Sequence, residues 1–332
     1  MERILITGVS GFVGRHLLRV LLRAGYQLTL AHRPRRGPKI TPAPHRSVII
    51  DGVGPQTDWR AALDGCDVVI HLAGQVPRRG VAAAEFDAVN AAGTGRLVEQ
   101  ARAAGVQRFI FLSSVATVVN NYAVGEINEQ TASAPSLSPY GESKLEAEFH
   151  VAGFGRDGRT AVSILPPMVY GAGAGGTWNT LQRLAASGIP LPFAAIENRR
   201  SMIAVENLAD ALLAVVRMSA TKEVSGSYFV TDYGTASVRE IFTWLRQGMG
   251  KSPRLFAVRP ALMRHAFDWI GLGRSIDRLL GDLAIDSTLF RTTFDWRPRL
   301  DTSDAVRASG AGFRAGRRGA GSQRIGSREK TP

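Results

Sequence analysis

The feature that most constrains this chain is Thr7-Gly8-Val9-Ser10-Gly11-Phe12-Val13-Gly14, three glycines at three-residue spacing. They lie between a short apolar run, Arg3 to Thr7, and a stretch of helical apolar spacing, Gly14 to Ala24. At a strand-to-helix junction, such glycines have separate tasks. Gly8 permits a tight turn, Gly11 lets main chain approach a pyrophosphate, and Gly14 lets the helix pack close to the strand. The free N–H groups at the helix start then face an anion. With Ser10, Phe12 and Val13 this loop is a candidate dinucleotide site.

The strand-like run Gln27 to Ala31 completes a βαβ opening, which predicts a parallel sheet. Further buried-strand candidates are Ser47 to Ile50, Val68 to Leu72, Phe109 to Ser113 and Ala161 to Leu165. Helical stretches are expected at Glu85 to Ala104 and Pro139 to Gly153. The fold class read from this alternation is α/β, a doubly wound parallel sheet of Rossmann type. After Pro166-Pro167 the regularity gives way to Gly-rich loops, with helices expected over Asn179 to Ser187, Val205 to Met218 and Val238 to Gly248. The expected organisation is therefore a cofactor domain over 1–170, with some later segments packing back on it. A smaller α/β substrate lobe follows over 171–314, and a disordered basic tail over 315–332.

A net charge of +13 invites a nucleic-acid reading, so its location matters. From Ala315 onward there are five basic residues against one acid, and Arg33, Arg35, Arg36, Lys39 and Arg46 cluster in a Pro/Gly-rich loop. The remainder is modestly basic, which suits a phosphate-rich cofactor and substrate; no nucleic-acid partner is expected. No apolar run reaches the roughly 20 residues of a membrane-spanning helix. Nor does Met1-Glu2-Arg3 open a secretory signal, so a cytoplasmic protein without an integral membrane segment is expected. The single cysteine, Cys66, reads as a small core residue, and the six histidines lack metal-ligand spacing; no metal is expected.

Where many NAD-binding chains carry an acid after the second strand, this one has His32-Arg33. Cations there can pair with a 2′-phosphate, which favours NADP over NAD. Asp51, with Gly52 beside it after the third strand, is a candidate partner for the adenine amino group.

Tyr140-Gly141-Glu142-Ser143-Lys144 falls in an expected helix opened by Ser138-Pro139. Residues four apart share a helix face, so the Tyr140 phenol and the Lys144 ammonium look into one space. A nearby cation is expected to lower the phenol pKa toward working pH, as proton transfer at a carbinol oxygen requires. About 26 residues upstream, the strand Phe109 to Ser114 ends in hydroxyls. Ser114 is the candidate to hydrogen-bond the reacting oxygen, with Ser113 as the alternative. Asn90 and Thr94 on the preceding helix read as structural or cofactor-positioning groups.

Together these residues resemble the extended short-chain dehydrogenase/reductases, the NAD-dependent epimerase/dehydratase family. The matched pieces are the glycine loop, His71-Leu72-Ala73-Gly74, Val89-Asn90-x-x-Gly93-Thr94, Ser113-Ser114, Tyr140-x-x-x-Lys144, Pro166 to Gly171 and Arg200 to Asp210. The resemblance implies that Tyr140 is the acid/base, that Lys144 binds the nicotinamide ribose and tunes the tyrosine, and that Ser114 orients the substrate oxygen. It also implies cofactor contacts at Leu72, Ala73, Gly74, Asn90, Pro167 and Val169. The diphosphate of a nucleotide-sugar substrate falls to Arg200, with Asn179 and the main chain from Leu191 to Phe193 around the base. A homodimer built on helices that include the Tyr140 helix is the family expectation.

Dehydratases of this family carry Thr-Asp-Glu where this chain has Ser114-Val115-Ala116, so 4,6-dehydration is not expected. Two reactions at sugar C4 remain, reduction and epimerisation. Asn198-Arg199-Arg200-Ser201 and Asp277 to Asp286 are similar to the bacterial branch that reduces UDP-4-keto-6-deoxy-N-acetylhexosamines in surface-polysaccharide synthesis. Reduction of that UDP-quinovosamine type is the first expectation, and a UDP-hexose 4-epimerase is the alternative. A non-catalytic dinucleotide-binding protein is the second alternative, against which the intact Ser114, Tyr140 and Lys144 speak.

Overall fold

The computed structural model describes residues 2–34, 45–156, 158–218, 224–269 and 280–326. Seven parallel strands form its central sheet: β1 (Arg3–Thr7), β2 (Gln27–His32), β3 (His45–Ile49), β4 (Val68–His71), β5 (Arg108–Leu112), β7 (Thr160–Leu165) and β10 (Gly226–Phe229), in the order β10-β7-β5-β4-β1-β2-β3. Strands covered on both faces read as unbroken apolar runs, and β1 and β4 do so. Chain order reverses between β1 and β4, whose register brings Thr7 level with His71. A crevice at such a switch point is where ligands bind in open α/β sheets.

One face is covered by α1 (Phe12–Arg23) and α7 (Val205–Arg217), which pack on each other. Helix α1 buries Gly14, Leu17, Leu18 and Leu21 on one stripe, each leucine contributing roughly 2 kcal/mol. The other face carries the short helix α2 (Arg60–Leu63), then α4 (Gly93–Ala103) and α5 (Pro139–Phe154). Buried Cys66 belongs to this second core, as its apolar surroundings in the sequence suggest. Between β4 and α4 the helix is not uniform: a turn, α3 (Ala83–Phe86), leads into π-helix over Asp87–Ala92. Buried Arg108 donates to the carbonyls of Val216 at 2.7 Å and Met218 at 3.3 Å, closing the C-terminal end of α7.

The second lobe is built on α6 (Gly176–Ser187), α8 (Val238–Gly248) and α9 (Pro260–Trp269). Small parallel pairs tie it to the sheet domain: β8 (Met168–Tyr170) with β9 (Met202–Ala204), and β6 (Glu126–Ile127) with β11 (Ala284–Ile285). Later segments also return to the first domain, since β10 extends its sheet and the helix Thr288–Phe294 joins the α1/α7 core.

The C-terminal helix Thr302–Gly326 departs from the sequence expectation of irregular chain from Ala315. It crosses α8 so closely that a Cβ on Gly248 would collide with the Arg307 carbonyl, and one on Gly310 with that of Leu245. Trp178 Nε1 donates to Ser309 Oγ at 2.9 Å and Gln182 Nε2 to the Ser309 carbonyl at 3.1 Å. Small residues and hydrogen bonds seat this helix in place of a large apolar stripe, and its Gly- and Arg-rich continuation has helical backbone to Gly326.

Candidate active site

Strand β1 delivers the glycine loop to the switch point. Gly8 has φ +71°, and a Cβ there would stand 2.6 Å from the Ala73 amide nitrogen; a side chain at Gly14 would strike the Gly8 carbonyl. The Gly11 amide donates to the Gly8 carbonyl at 2.9 Å, and Gly11 caps α1 without any side-chain acceptor. The first amides of α1 are thus left to an external anion, which is the cradle a dinucleotide pyrophosphate requires. Ser10 is exposed at the loop, whereas Phe12 and Val13 are partly buried against the two cores, so Val13 offers the loop its main chain.

Behind the loop a buried polar chain joins three elements. The Ala73 amide donates to Thr7 Oγ1 at 3.2 Å, Thr7 Oγ1 meets His71 Nδ1 at 2.7 Å, and His71 Nε2 meets Thr94 Oγ1 at 3.1 Å. Burial, assisted by Lys144, holds the His71 pKa down to about 3, so the ring stays neutral.

On α5, opened by the Ser138 side chain accepting from the Gly141 amide at 3.2 Å, Tyr140 and Lys144 face the end of β5. Gly141 is needed because a Cβ there would meet the Ala116 carbonyl. Lys144 is buried; its Nζ donates to the Leu112 carbonyl at 2.7 Å and stands 4.3 Å from the Phe111 ring centroid. Burial pulls its pKa down to about 7, and Glu148 pulls the other way. The Tyr140 ring packs edge-on against Phe86, with the Ser114 hydroxyl on the side of its phenol. The expected lowering of the Tyr140 pKa by Lys144 is corrected: burial pushes the phenol up, and Ser114 is what opposes it. The reason is geometric, since the Lys144 ammonium is turned to the Leu112 carbonyl.

Of the two serines, Ser113 is buried and donates to Glu148, which removes it as the substrate hydroxyl. Ser114 Oγ accepts from the Ala116 amide at 3.2 Å and leaves its proton for the phenol side. Asn90 is corrected from a cofactor contact to a clamp. Its carbonyl accepts from the Gln75 amide at 2.8 Å, and its Nδ2 donates to the Gln75 carbonyl and to Ser143 Oγ. The clamp holds the turn after Leu72, Ala73 and Gly74 near the Lys144 amine, which a Cβ on Gly74 would approach to 3.6 Å. Pro167 is buried and Val169 half-buried at the β7 to β8 connection, next to the Pro166 carbonyl that accepts from the Val115 amide at 3.0 Å.

At the adenosine end, His32 spends both ring nitrogens, on the Arg33 carbonyl at 3.0 Å and on Ser47 Oγ at 2.6 Å. Its ring is therefore a strand tie and is corrected as a side-chain contact for the cofactor. Arg33 is exposed and makes no ion pair among the described residues, while Arg46 is taken by Asp64 at 3.0 Å. Arg35, Arg36 and Lys39 lie outside the described residues. Asp51 is exposed, and the Gly52 carbonyl accepts from Thr57 Oγ1 at 3.0 Å.

The substrate side is mixed. Arg200 donates from Nη1 to the Gly281 carbonyl at 2.6 Å and from Nη2 to the Asn121 carbonyl at 3.1 Å, with no carboxylate in contact among the described residues. Segments 198–201 and 281–283 meet directly: the Arg199 amide donates to Asp282 Oδ1 and the Leu283 amide to the Arg199 carbonyl. Residues 277–279 of that second segment lie outside the described residues. Asn179 is half-buried on α6, but Thr177, which sequence reasoning missed, shares a small apolar cavity with Arg200, Met168 and Phe242. Leu191 and Phe193 are corrected. Both side chains are core, Phe193 stacking on Phe242 at 5.1 Å. The main chain of Leu191 is spent on Arg254 and Phe256, which leaves it no group for a nucleobase.

Among the described residues no helix is long and apolar enough to cross a membrane. Residues 4–230 match the NAD dependent epimerase/dehydratase family. The chain is 30% identical to a UDP-glucose 4-epimerase of Vibrio cholerae over 320 residues, covering 94% of this chain and 95% of that protein. It is 34% identical to a ceramide reductase of Caulobacter vibrioides over 257 residues, 75% of this chain and 71% of that protein. Its fold superimposes on the crystal structure of a UDP-glucuronic acid 4-epimerase from Bacillus cereus in complex with NAD, with TM-score 0.74, 20% identity, and 95% and 99% of the two chains covered.

Proposed function

The chain belongs to the NAD-dependent epimerase/dehydratase family, and we propose that within it the protein reduces the C4 ketone of a UDP-4-keto-6-deoxy-N-acetylhexosamine, a UDP-quinovosamine type of product used for surface polysaccharide in the cytoplasm. The observation that carries the reading is the grouping of Tyr140, Ser114 and Lys144 at the strand end beside the glycine loop. A bound nicotinamide cofactor in its reduced form, NADPH before NADH, would supply the hydride. Everything else falls to side chains of this chain. Ser114 hydrogen-bonds the C4 oxygen, and Tyr140 hands its phenolic proton to that oxygen as it becomes an alkoxide. The high pKa of the buried phenol keeps that proton in place until the transfer. Lys144 holds the ribose side of the site. Arg200, already aimed by two carbonyls, takes the diphosphate with its remaining N–H groups.

Supporting reduction is the absence of an acid at His32-Arg33, where an NAD-retaining site would hold the ribose. The full-length likeness to a UDP-glucose 4-epimerase favours a second reading, oxidation and re-reduction of the same carbon on a retained cofactor. A homodimer is part of the proposal. Its support is the outer face of α4 and α5, where Phe149 is 64% exposed beside Val98 and Gly153.

The test mixes purified protein with NADPH or NADH and UDP-4-keto-6-deoxy-GlcNAc, and follows absorbance and product stereochemistry. Stoichiometric cofactor consumption is expected. Interconversion of UDP-hexoses without net cofactor change would replace the reductase with the epimerase.

A further inference from the structure

One turn beyond Lys144 on α5 stands Glu148, so Tyr140, Lys144 and Glu148 follow at four-residue spacing along one face. The Glu148 carboxylate bridges two strands. Ser113 Oγ, at the end of β5, donates to Oε1 at 2.5 Å, and Ser227 Oγ, on β10, donates to Oε2 at 2.7 Å. No arginine neutralises this carboxyl among the described residues; burial pushes its pKa up, and the serine hydroxyls and Lys144 oppose that rise.

The groups around Lys144 come from every element packed on it. They are the neutral His71 on β4, the Phe111 ring and Leu112 carbonyl on β5, the Asn90 amide from the π-helical turn, and the Tyr140 phenol on α5 itself. Glu148 is the one charged side chain that acts on the ammonium among the described residues.

We propose that Glu148 is a positioning residue of the reaction: clasped by Ser113 and Ser227, it is the counter-charge that keeps buried Lys144 an ammonium, and it ties that charge to the strand end that carries Ser114. The proposal rests on the reading of Lys144 as part of the reaction site. Burial alone drives a lysine toward the neutral amine, and a fixed carboxylate within a turn of helix is the simplest device that restores the cation. An amine would be a weaker donor to the Leu112 carbonyl and to any hydroxyl placed beside it.

The chain contains five lysines, so lysine side-chain carbons labelled with ¹³C give a countable NMR spectrum, and Lys144→Met assigns the resonance of interest. In Glu148→Gln the titration midpoint of Lys144 is expected to fall by about one pH unit, a tenfold loss of ammonium at a given pH. Glu148→Asp, which keeps the charge, restores most of the midpoint. An unmoved midpoint in Glu148→Gln overturns the proposal. Should that variant fail to fold, Ser227→Ala serves: with one donor lost the carboxyl holds its proton more tightly, and a Lys144 midpoint that stays put again overturns it. The titration needs no substrate. A protein inactive on every UDP-sugar would refute the reductase reading while leaving this measurement to decide Glu148 by itself.

Discussion

Across the gap between the end of β5 and the start of α5, the Ser114 hydroxyl draws the Tyr140 phenol pKa down against the rise that burial causes. The hydroxyl that orients an oxygen and the phenol that protonates it are therefore already within reach of one atom. Tyr140→Phe is expected to lower kcat by about 10³-fold, within the range a lost general acid costs. Dinucleotide affinity, measured by fluorescence titration, should stay within about threefold, because the pyrophosphate cradle is built by other residues.

The cationic side chain left at the end of β2 offers a test of cofactor choice. Arg33 is exposed with no ion-pair partner among the described residues, whereas the neighbouring His32 ring is occupied. Arg33→Ala should raise KM for NADPH about tenfold and leave KM for NADH nearly unchanged, a charge-assisted hydrogen bond to phosphate being worth roughly 1.5–3 kcal/mol. Equal effects on both cofactors would remove the 2′-phosphate contact.

His71 gives a pH signature in stability. Its pKa is held down to about 3 in the fold against 6.5 as a free side chain. Between those values the unfolded chain binds a proton that the folded chain refuses. Stability is therefore at its full value above pH 6.5 and declines as pH falls toward 3, by about 1.4 kcal/mol per pH unit from this residue. Urea midpoints at pH 7 and 5 should separate for the wild type and converge in His71→Asn, once each variant is referred to its own pH 7 value.

The crossing of α8 with the C-terminal helix predicts an unusual sensitivity to one methyl group. Gly248→Ala places a Cβ against the Arg307 carbonyl, where backbone cannot give way cheaply. A loss of about 2–3 kcal/mol is expected, despite the better helix propensity of alanine. Thermal unfolding measures it, and a neutral or stabilising effect would show that the helices can separate.

Much of the sheet domain was legible because covered parallel strands announce themselves as apolar runs and a strand-glycine-helix junction has few uses. The runs ending at Thr7, His71 and Leu112 are the clearest cases. Helix past Ala315 was not legible because the chain there is Gly, Arg, Ala and Ser with almost no large apolar residue, which leaves no hydrophobic period to read. Leu191 and Phe193 misled for the opposite reason: apolar residues in a loop of the second lobe are as consistent with core as with a base pocket, and only the pairing with 254–256 decides. Glu148 shares the tyrosine–lysine spacing, yet its two serine donors are distant in sequence, so nothing local set it apart from a solvated glutamate.

The same Gly248 and Gly310 crossing has a consequence for synthesis. The Thr302 carbonyl receives the buried Tyr170 hydroxyl, and Ser309 receives Trp178 and Gln182, so the floor of the second lobe is supplied by a segment that leaves the ribosome well after the residues it supports. The sheet domain can begin to assemble during elongation, but the lobe beside Arg200 stays incomplete until residues 302–313 have emerged. A nascent chain of this protein therefore acquires its nucleotide cradle well before it can close around anything held there.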